Sequence, residues 1–206
     1  IRESCKMLAE VYSQLIKVVD EGISTIEIDK ICHDMILKKG GIPAFLNYEG
    51  YPASICISIN EEVIHGIPSD RKIKDGDLVS LDLGINLKGF ISDAAMTLPI
   101  GNITSDAEKL ITTTKQALSA GINACTHGNR IKDISSAVFK VADAQNFGVV
   151  KEFCGHGVGF DVHESPQIPN YVHPGPNPRI KKGMVLAIEP MINLGTSKVE
   201  ILDDDW

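Results

Sequence analysis

A weak internal repeat constrains the fold more than any other feature of this sequence. Residues 73–82 (IKDGDLVSLD) and 180–189 (IKKGMVLAIE) align at an offset of 107 positions, which is 180 minus 73. Asp82 then coincides with Glu189, so each half is predicted to end its first long strand in a carboxylate.

A second pair of segments, 22–28 and 128–134, aligns at almost the same offset, 106. In both segments a glycine stands six positions before an isoleucine. Because the two offsets agree, we predict a single domain over 1–206, built from two similar halves at about 1–101 and 102–206.

Helical patterns open the first half. Over 4–20, one predicted helical face carries Cys5, Leu8, Tyr12, Leu15 and Val19. Ser24-x-x-Glu27 is a capping-box signature and predicts a second helix that ends near Gly40.

The second half repeats this order. Ser105-x-x-Glu108 predicts the start of one helix, and isoleucine and valine spacing over 131–141 predicts another, which stops near Gly148.

Strands follow the helices in the first half, where the strict alternation in 55–60 (ICISIN) predicts a half-buried strand. The fold class expected is α+β, with two pseudo-symmetric helix–helix–strand halves around a shared sheet.

Composition excludes several classes of function. The chain has 206 residues, of which 43% are hydrophobic, and its 20 basic against 27 acidic residues give a net charge of −7. A nucleic-acid binder needs clustered positive charge, which we do not find, and no apolar run approaches the ~20 residues of a membrane span. Five scattered cysteines without a CxxC motif predict a reducing, cytoplasmic location.

Two aspartates lie on neighbouring apolar segments. If 78–83 and 90–98 form a hairpin centred between positions 87 and 88, Asp82 and Asp93 face each other, since the numbers of opposed residues then sum to 175. Opposed like charges destabilise a sheet. The pair must then share a proton, form a salt bridge or hold a metal, unless Asp82 caps a strand and Asp93 is solvated at an edge.

A glycine-rich segment, 154–163 (CGHGVGFDVH), carries His156 and His163. Glycines on both sides of His156 disfavour a helix and let the backbone approach a crowded centre. His163-Glu164 lacks the second histidine of an HExxH zinc site. Carboxylates with one or two imidazoles suit a pair of divalent ions such as Mn, Fe, Co or Zn.

Six motifs together resemble type I methionine aminopeptidases in order and spacing, over essentially the whole chain. They are NEEVIHGIP (60–68), SLD (80–82), SD (92–93), CGHGVG (154–159), VHESPQ (162–167) and IEPM (188–191). The resemblance implies the pita-bread fold, in which two pseudo-symmetric halves surround a curved antiparallel sheet. It also implies a dinuclear metallo-aminopeptidase that removes the N-terminal methionine from nascent proteins.

The resemblance assigns roles to individual residues. Asp82 would chelate one metal and Asp93 would bridge two, while His156 and Glu189 would hold the other. His163 would contact the scissile carbonyl or its oxyanion, and His65 would contact the substrate near its amino end or its leaving group. The positions that match the methionine pocket are Tyr48, Tyr51, Cys56 and Trp206.

The implied mechanism is attack of a metal-activated hydroxide on the scissile carbonyl. Glu189 or a neighbouring carboxylate would pass the proton to the departing amine, and His163 would stabilise the oxyanion. The family pattern has a further bridging glutamate downstream of Trp206. We therefore expect a C-terminally incomplete chain with sites for two divalent ions that binds metal poorly, so that the second site can be empty.

Other functions stay open at this stage. An X-Pro aminopeptidase or prolidase-like peptidase uses the same fold, but usually adds an N-terminal domain. A non-catalytic pita-bread binding module is the second alternative, although such a module should have lost several ligands. As partners we expect the N-termini of nascent polypeptides, and contact with the ribosome stays an open alternative. We expect no binding to nucleic acid or to a membrane. The expected oligomeric state is a monomer.

Overall fold

A computed structural model describes residues 1–204 and 206. The chain divides into two compact units. The first unit comprises 1–104, 158–162 and 202–206, and the second comprises 105–157 and 163–201. Among the described residues, no helix combines the length and apolarity that crossing a membrane requires.

Two helices open the first unit, α1 (Arg2–Leu15) and α2 (Thr25–Lys38). The predicted capping box forms at Ser24: its hydroxyl accepts from the Glu27 amide, and the Glu27 carboxylate accepts from the Ser24 amide. Helix α1 ends earlier than the pattern over 4–20 predicted.

The core face of α1 differs by one position from the apolar pattern. Leu8, Tyr12 and Leu15 are buried as the spacing predicted, but Cys5 is exposed and Ser4 is buried instead. Burial of Ser4 is tolerated because its hydroxyl donates to the Ile85 carbonyl and contacts the Ser92 hydroxyl.

Four strands form the sheet of the first unit. They are β1 (Ile42–Pro43), β2 (Cys56–Ile59), β3 (Leu78–Leu87) and β4 (Phe90–Pro99), with a short 3₁₀ helix at Tyr48–Gly50. β3 is central: β4 pairs along one edge, while β1 and β2 share the other, all antiparallel.

One face of this sheet packs on the helices. Val79, Leu81, Leu83 and Ile85 of β3 alternate toward that core and are fully buried. β2 is buried on both faces, so the prediction of a half-buried strand was wrong. Its second face is covered by the segment around Gly66, whose amide donates to the Ser58 hydroxyl.

The second unit repeats the order of helices before strands. Helix α3 (Ser105–Ala124) begins at the residue predicted as its cap, and α4 (Ile131–Asp143) ends before the predicted Gly148. Two antiparallel sheets follow, one of β5 and β9 and one of β7, β6 and β8 in that order. The strands are β5 (Gly148–Val149), β6 (Gly155–Gly157), β7 (Glu164–Ile168), β8 (Leu186–Ala187) and β9 (Ile192–Asn193).

The carboxylates aligned by the repeat do not end equivalent strands. Asp82 lies in the middle of the ten-residue β3, whereas Glu189 lies two positions beyond the two-residue β8. The prediction that each carboxylate ends a long strand was therefore wrong. A local sequence match does not determine how far strand pairing extends.

Candidate metal centre

Asp82 and Asp93 share one face of the β3–β4 hairpin but do not oppose each other. Asp82 pairs with Ala95, and Asp93 pairs with Gly84. The predicted register, in which opposed numbers sum to 175, was wrong, since Leu87 pairs with Phe90 and the sum is 177. The two aspartates are diagonal neighbours, a relation in which Cα atoms lie ~7–8 Å apart.

The turn explains the shift of register. Lys88 and Gly89 form a two-residue loop with φ of 55° and 84°. Two successive positive φ values are the signature of the type I′ turn that matches strand twist, and glycine at the second position favours it. A shift of two in the sum preserves the faces, so both carboxylates still point to the same side of the sheet.

The neighbour of Asp82 on β2 is Cys56. Burial raises the pKa of the Cys56 thiol well above its ordinary value, and the negative charge of Asp82 raises it further. The thiol therefore stays protonated and neutral near pH 7. It adds a small polarisable group, not another negative charge, beside the aspartate.

An aromatic cluster lies in the same unit. The Trp206 ring stacks edge-on against Tyr51, with centroids 4.9 Å apart, and against His65, with centroids 5.8 Å apart. The Tyr51 hydroxyl also donates to the carbonyls of Ile55 and Gly66. The predicted pocket residues Tyr51 and Trp206 are thus brought together with His65, which was predicted to contact the substrate elsewhere. A side-chain hydrogen bond joins Tyr51 to Cys56.

The backbone around His65 is tightly constrained. His65 has a φ of 60°, in the left-handed region that non-glycine residues rarely occupy. The next residue, Gly66, accepts from the Ile57 amide, and a Cβ there would lie 2.3 Å from the Ile57 carbonyl oxygen. Close packing on β2 therefore holds His65 in place.

Tyr48, another residue predicted for the methionine pocket, is half-buried in the 3₁₀ helix, and burial raises the pKa of its phenol.

In the second unit, β6 carries His156 between two glycines. A Cβ at Gly155 would lie 2.3 Å from the Ala187 carbonyl oxygen, and one at Gly157 would lie 2.5 Å from that of Ser165. Only glycine allows the flanking strands to approach this closely. The glycines noted in the sequence therefore bring two backbones against β6 and bury His156 at 6% exposure.

The hydrogen bonding of His156 determines its tautomer. Its Nδ1 lies 2.8 Å from the Gly157 carbonyl, which can only accept, so Nδ1 carries the proton. In the neutral ring, Nε2 then presents a lone pair. Metal-binding histidines are commonly oriented in this way by a carbonyl on the other nitrogen.

Nε2 of His156 lies 3.0 Å from Oε1 of Glu189. That oxygen is buried and has no hydrogen-bond partner among the described residues, so the short contact lacks hydrogen-bond geometry. Two ligands at a right angle, each ~2.1 Å from one ion, lie about 3.0 Å apart. The two atoms therefore fit a shared divalent cation, which would also relieve the repulsion between their lone pairs.

His163 lies directly beside this pair. Its ring centroid is 4.3 Å from that of His156, and the rings are nearly perpendicular. Unlike His156, it is exposed, and it directly precedes β7. An imidazole that is held next to a ligand but remains accessible can donate a hydrogen bond to a bound molecule.

The amino-acid sequence of the chain matches a known protein family. The sequence model of metallopeptidase family M24 matches residues 1–204. The chain belongs to metallopeptidase family M24.

Two similar relatives within this family are both named methionine aminopeptidase. A methionine aminopeptidase from Treponema pallidum is 54% identical over 207 residues, covering 100% of this chain and 81% of that protein. Methionine aminopeptidase 1 from Bacillus subtilis is 46% identical over 206 residues, covering 100% of this chain and 83% of that protein.

Solved structures agree with the family assignment. The methionine aminopeptidases from Rickettsia prowazekii and Thermotoga maritima each match with a TM-score of 0.96 and 35% identity, covering 100% of this chain and 83% of theirs. A prolidase from Pyrococcus horikoshii OT3 matches with a TM-score of 0.78 at 22% identity, which shows a common fold alone. The predicted α+β pita-bread fold is confirmed.

One residue of this M24 chain near the glutamate was missed by the sequence analysis. Asn170 is 2% exposed, and its side-chain amide donates to the Glu189 carbonyl at 2.7 Å. This bond anchors the backbone that carries the glutamate, just beyond β8. A single asparagine in a proline-rich segment carries no pattern that could have indicated this role.

Proposed function

We propose that this chain is a metal-dependent aminopeptidase that removes N-terminal methionine from polypeptides. Its membership of a metallopeptidase family and its identity of 54% and 46% to proteins named methionine aminopeptidase support this. The structural observation that carries the proposal is the contact between His156 and Glu189. Two potential ligand atoms approach to 3.0 Å without a hydrogen bond.

The proposed metal ligands are Asp82, Asp93, His156 and Glu189. The shared face of the two aspartates and the orientation of the imidazole support this assignment. We propose two divalent ions drawn from Co, Mn, Fe and Zn, because carboxylate and imidazole donors suit all four. When bound, such ions polarise a carbonyl and lower the pKa of water.

Hydrolysis adds water across the peptide bond: a carbon–oxygen bond forms, the carbon–nitrogen bond breaks, and the amine nitrogen gains a proton. We propose that Glu189 takes a proton from water and passes it to the departing nitrogen. His163 donates a hydrogen bond to the carbonyl oxygen as negative charge develops there. Its exposed position beside His156 supports that role.

We propose that the aromatic cluster of the first unit binds the methionine side chain. Tyr51, Cys56 and Trp206 offer apolar and polarisable surface, to which a thioether is suited. His65, in ring contact with Trp206, would contact the substrate near its amino end, and Tyr48 would line the same pocket.

The cellular setting follows from the same proposal. All five cysteines are free, as is usual in a reducing compartment. We propose cytoplasmic nascent chains as the substrates, since their N-termini carry methionine. Monomeric action and contact with the ribosome remain predictions of the sequence analysis.

The test is peptide hydrolysis by the metal-loaded chain. We expect release of methionine from Met-Ala-Ser with Mn²⁺ or Co²⁺, loss of activity with a chelator, and no cleavage of Ala-Pro. Cleavage of Ala-Pro in preference to Met-Ala-Ser would instead support the prolidase-like alternative. Metal binding without hydrolysis of either peptide would support the non-catalytic binding module.

A further inference from the structure

Tyr12 of α1 places a hydroxyl against the backbone of the β3–β4 hairpin. The side chain is 7% exposed, and its hydroxyl donates to the Leu81 carbonyl at 3.0 Å and to the Ala94 carbonyl. The Leu83 amide also hydrogen-bonds to the phenolic oxygen. One phenol therefore contacts three backbone groups on two strands.

Those three groups border the two carboxylates. The Leu81 carbonyl and the Leu83 amide belong to the two peptide groups that flank the Cα of Asp82. Ala94 directly follows Asp93 on the neighbouring strand. The hydroxyl thus restrains the backbone on both sides of one carboxylate and next to the other.

Tyr12 acts from the opposite face of the sheet. Leu81 and Leu83 point into the core with α1, so alternation directs Asp82 to the other side. The phenol stays protonated near pH 7, because burial raises its pKa well above the ordinary value and the charges of Asp82 and Asp93 raise it further. It therefore remains a hydrogen-bond donor without occupying a ligand position.

We propose that Tyr12 is a positioning residue for the metal centre: through the backbone, its hydroxyl sets the spacing and direction of the Asp82 and Asp93 carboxylates. The inference rests on the proposed function, in which both aspartates bind divalent ions. Partners that orient a ligand typically contribute 10–100-fold to metal affinity.

Ser4 provides a matched control. It also lies on α1 and is buried, and its hydroxyl donates to a β3 carbonyl, that of Ile85, at 2.9 Å. That carbonyl lies three positions beyond Asp82, toward the hairpin turn. Ser4→Ala therefore removes a buried helix-to-strand hydrogen bond and a contact with the Ser92 side chain, next to Asp93, but it releases none of the backbone groups that Tyr12 contacts.

The experiment titrates metal-free wild type, Tyr12→Phe and Ser4→Ala with Mn²⁺ in a calorimeter, after circular dichroism has established folding. We expect the dissociation constant to rise about 10–100-fold in Tyr12→Phe and to change less than about twofold in Ser4→Ala. Equal constants for wild type and Tyr12→Phe, or equal weakening in both variants, would overturn the inference. A wild type that binds no Mn²⁺ would instead overturn the proposed function.

If Tyr12→Phe does not fold, a measurement on the wild-type chain answers the same question. Tyrosine labelled with ¹³C at Cζ reports on each phenol during titration with Zn²⁺. We expect the Tyr12 resonance to shift in proportion to metal occupancy while that of Tyr171 stays constant. A Tyr12 resonance that is unaffected by saturating metal would contradict the inference.

Discussion

The two units position their candidate ligands by different physical means. In the first unit, Asp82 and Asp93 lie on ten-residue strands with a regular antiparallel register. In the second, His156 lies on a three-residue strand between glycines that let backbone carbonyls approach closely. Long pairing sets the direction of a side chain by periodicity, whereas the short strand depends on close contacts.

This difference predicts how the ligand-bearing strands of each unit respond to substitution. A regular hairpin spreads the restraint over many hydrogen bonds, so one added methyl group disturbs the pairing of its strands little. A strand held by close backbone approach has no such redundancy, since one added methyl group meets a carbonyl oxygen. The predictions below test this contrast, beginning with the largest expected effect.

Removing the imidazole of the second unit should have the largest effect. We expect His156→Ala to lower the rate of methionine release by at least about 100-fold, more than a supporting residue typically contributes. His127→Ala is the control, because His127 is an exposed histidine of the same unit. The assay is hydrolysis of Met-Ala-Ser with Mn²⁺, and similar rates for the two variants would refute the ligand assignment.

Glu189→Gln should act in opposite directions on metal binding and on stability. The glutamine amide can donate to the His156 Nε2, which Glu189 approaches at 3.0 Å without a hydrogen bond. We expect the free energy of unfolding of the metal-free chain to stay constant or rise by about 1 kcal/mol, while metal affinity falls. Urea denaturation and calorimetry measure the two quantities.

The control for this substitution is Glu152→Gln, at an exposed position of the same unit. It should leave both quantities unchanged. A Glu189→Gln chain that is less stable without metal and binds metal normally would show that the contact is an ordinary ion pair.

Two glycine substitutions compare the units directly. A Cβ at Gly155 would meet the Ala187 carbonyl oxygen at 2.3 Å, whereas one at Gly84, opposite Asp93, would meet the edge of the Phe45 ring at 2.8 Å. A backbone oxygen cannot move aside, but a side chain can. We expect Gly155→Ala to cost about 1–3 kcal/mol and Gly84→Ala less, by urea denaturation. Equal costs would abolish the contrast.

Alkaline pH should affect the first unit through Cys32. Burial raises the pKa of this thiol from 9.0 to about 12. Below pH 9 it is protonated whether the chain is folded or unfolded, so it does not affect stability. Above pH 9 the unfolded chain loses this proton first, and stability falls by about 1 kcal/mol by pH 10.

Denaturation at pH 7 and pH 10 measures this loss. Cys32→Ala should reduce the loss by about 1 kcal/mol and leave the share of Cys56, whose pKa burial also raises. Cys125→Ala, at a less buried thiol of the second unit, should reduce the loss less. If Cys32→Ala has the same pH dependence as the wild type, another group causes the loss.

Local patterns predicted much of the fold and part of the site. The capping box at Ser24 and the helix pair of each half follow from periodicity, because helix formation depends on neighbours three or four residues apart. The shared face of Asp82 and Asp93 was also predicted correctly, although the predicted register between β3 and β4 was shifted by two residues. Strand alternation has a period of two, so this error changed which residues are opposed but not their face.

The sequence by itself therefore determined the order of elements, the helix pairs and the face on which the acids lie, since these depend on short-range spacing. The resemblance to methionine aminopeptidases also implied that His156 and Glu189 share a metal and that Tyr51 and Trp206 share a pocket, and tertiary structure supplied the contacts between them. Tertiary structure alone decided that Asp82 opposes Ala95. It also decided the contacts of Tyr12 and Asn170. Such contacts arise where distant backbones approach closely, and no local spacing specifies that approach.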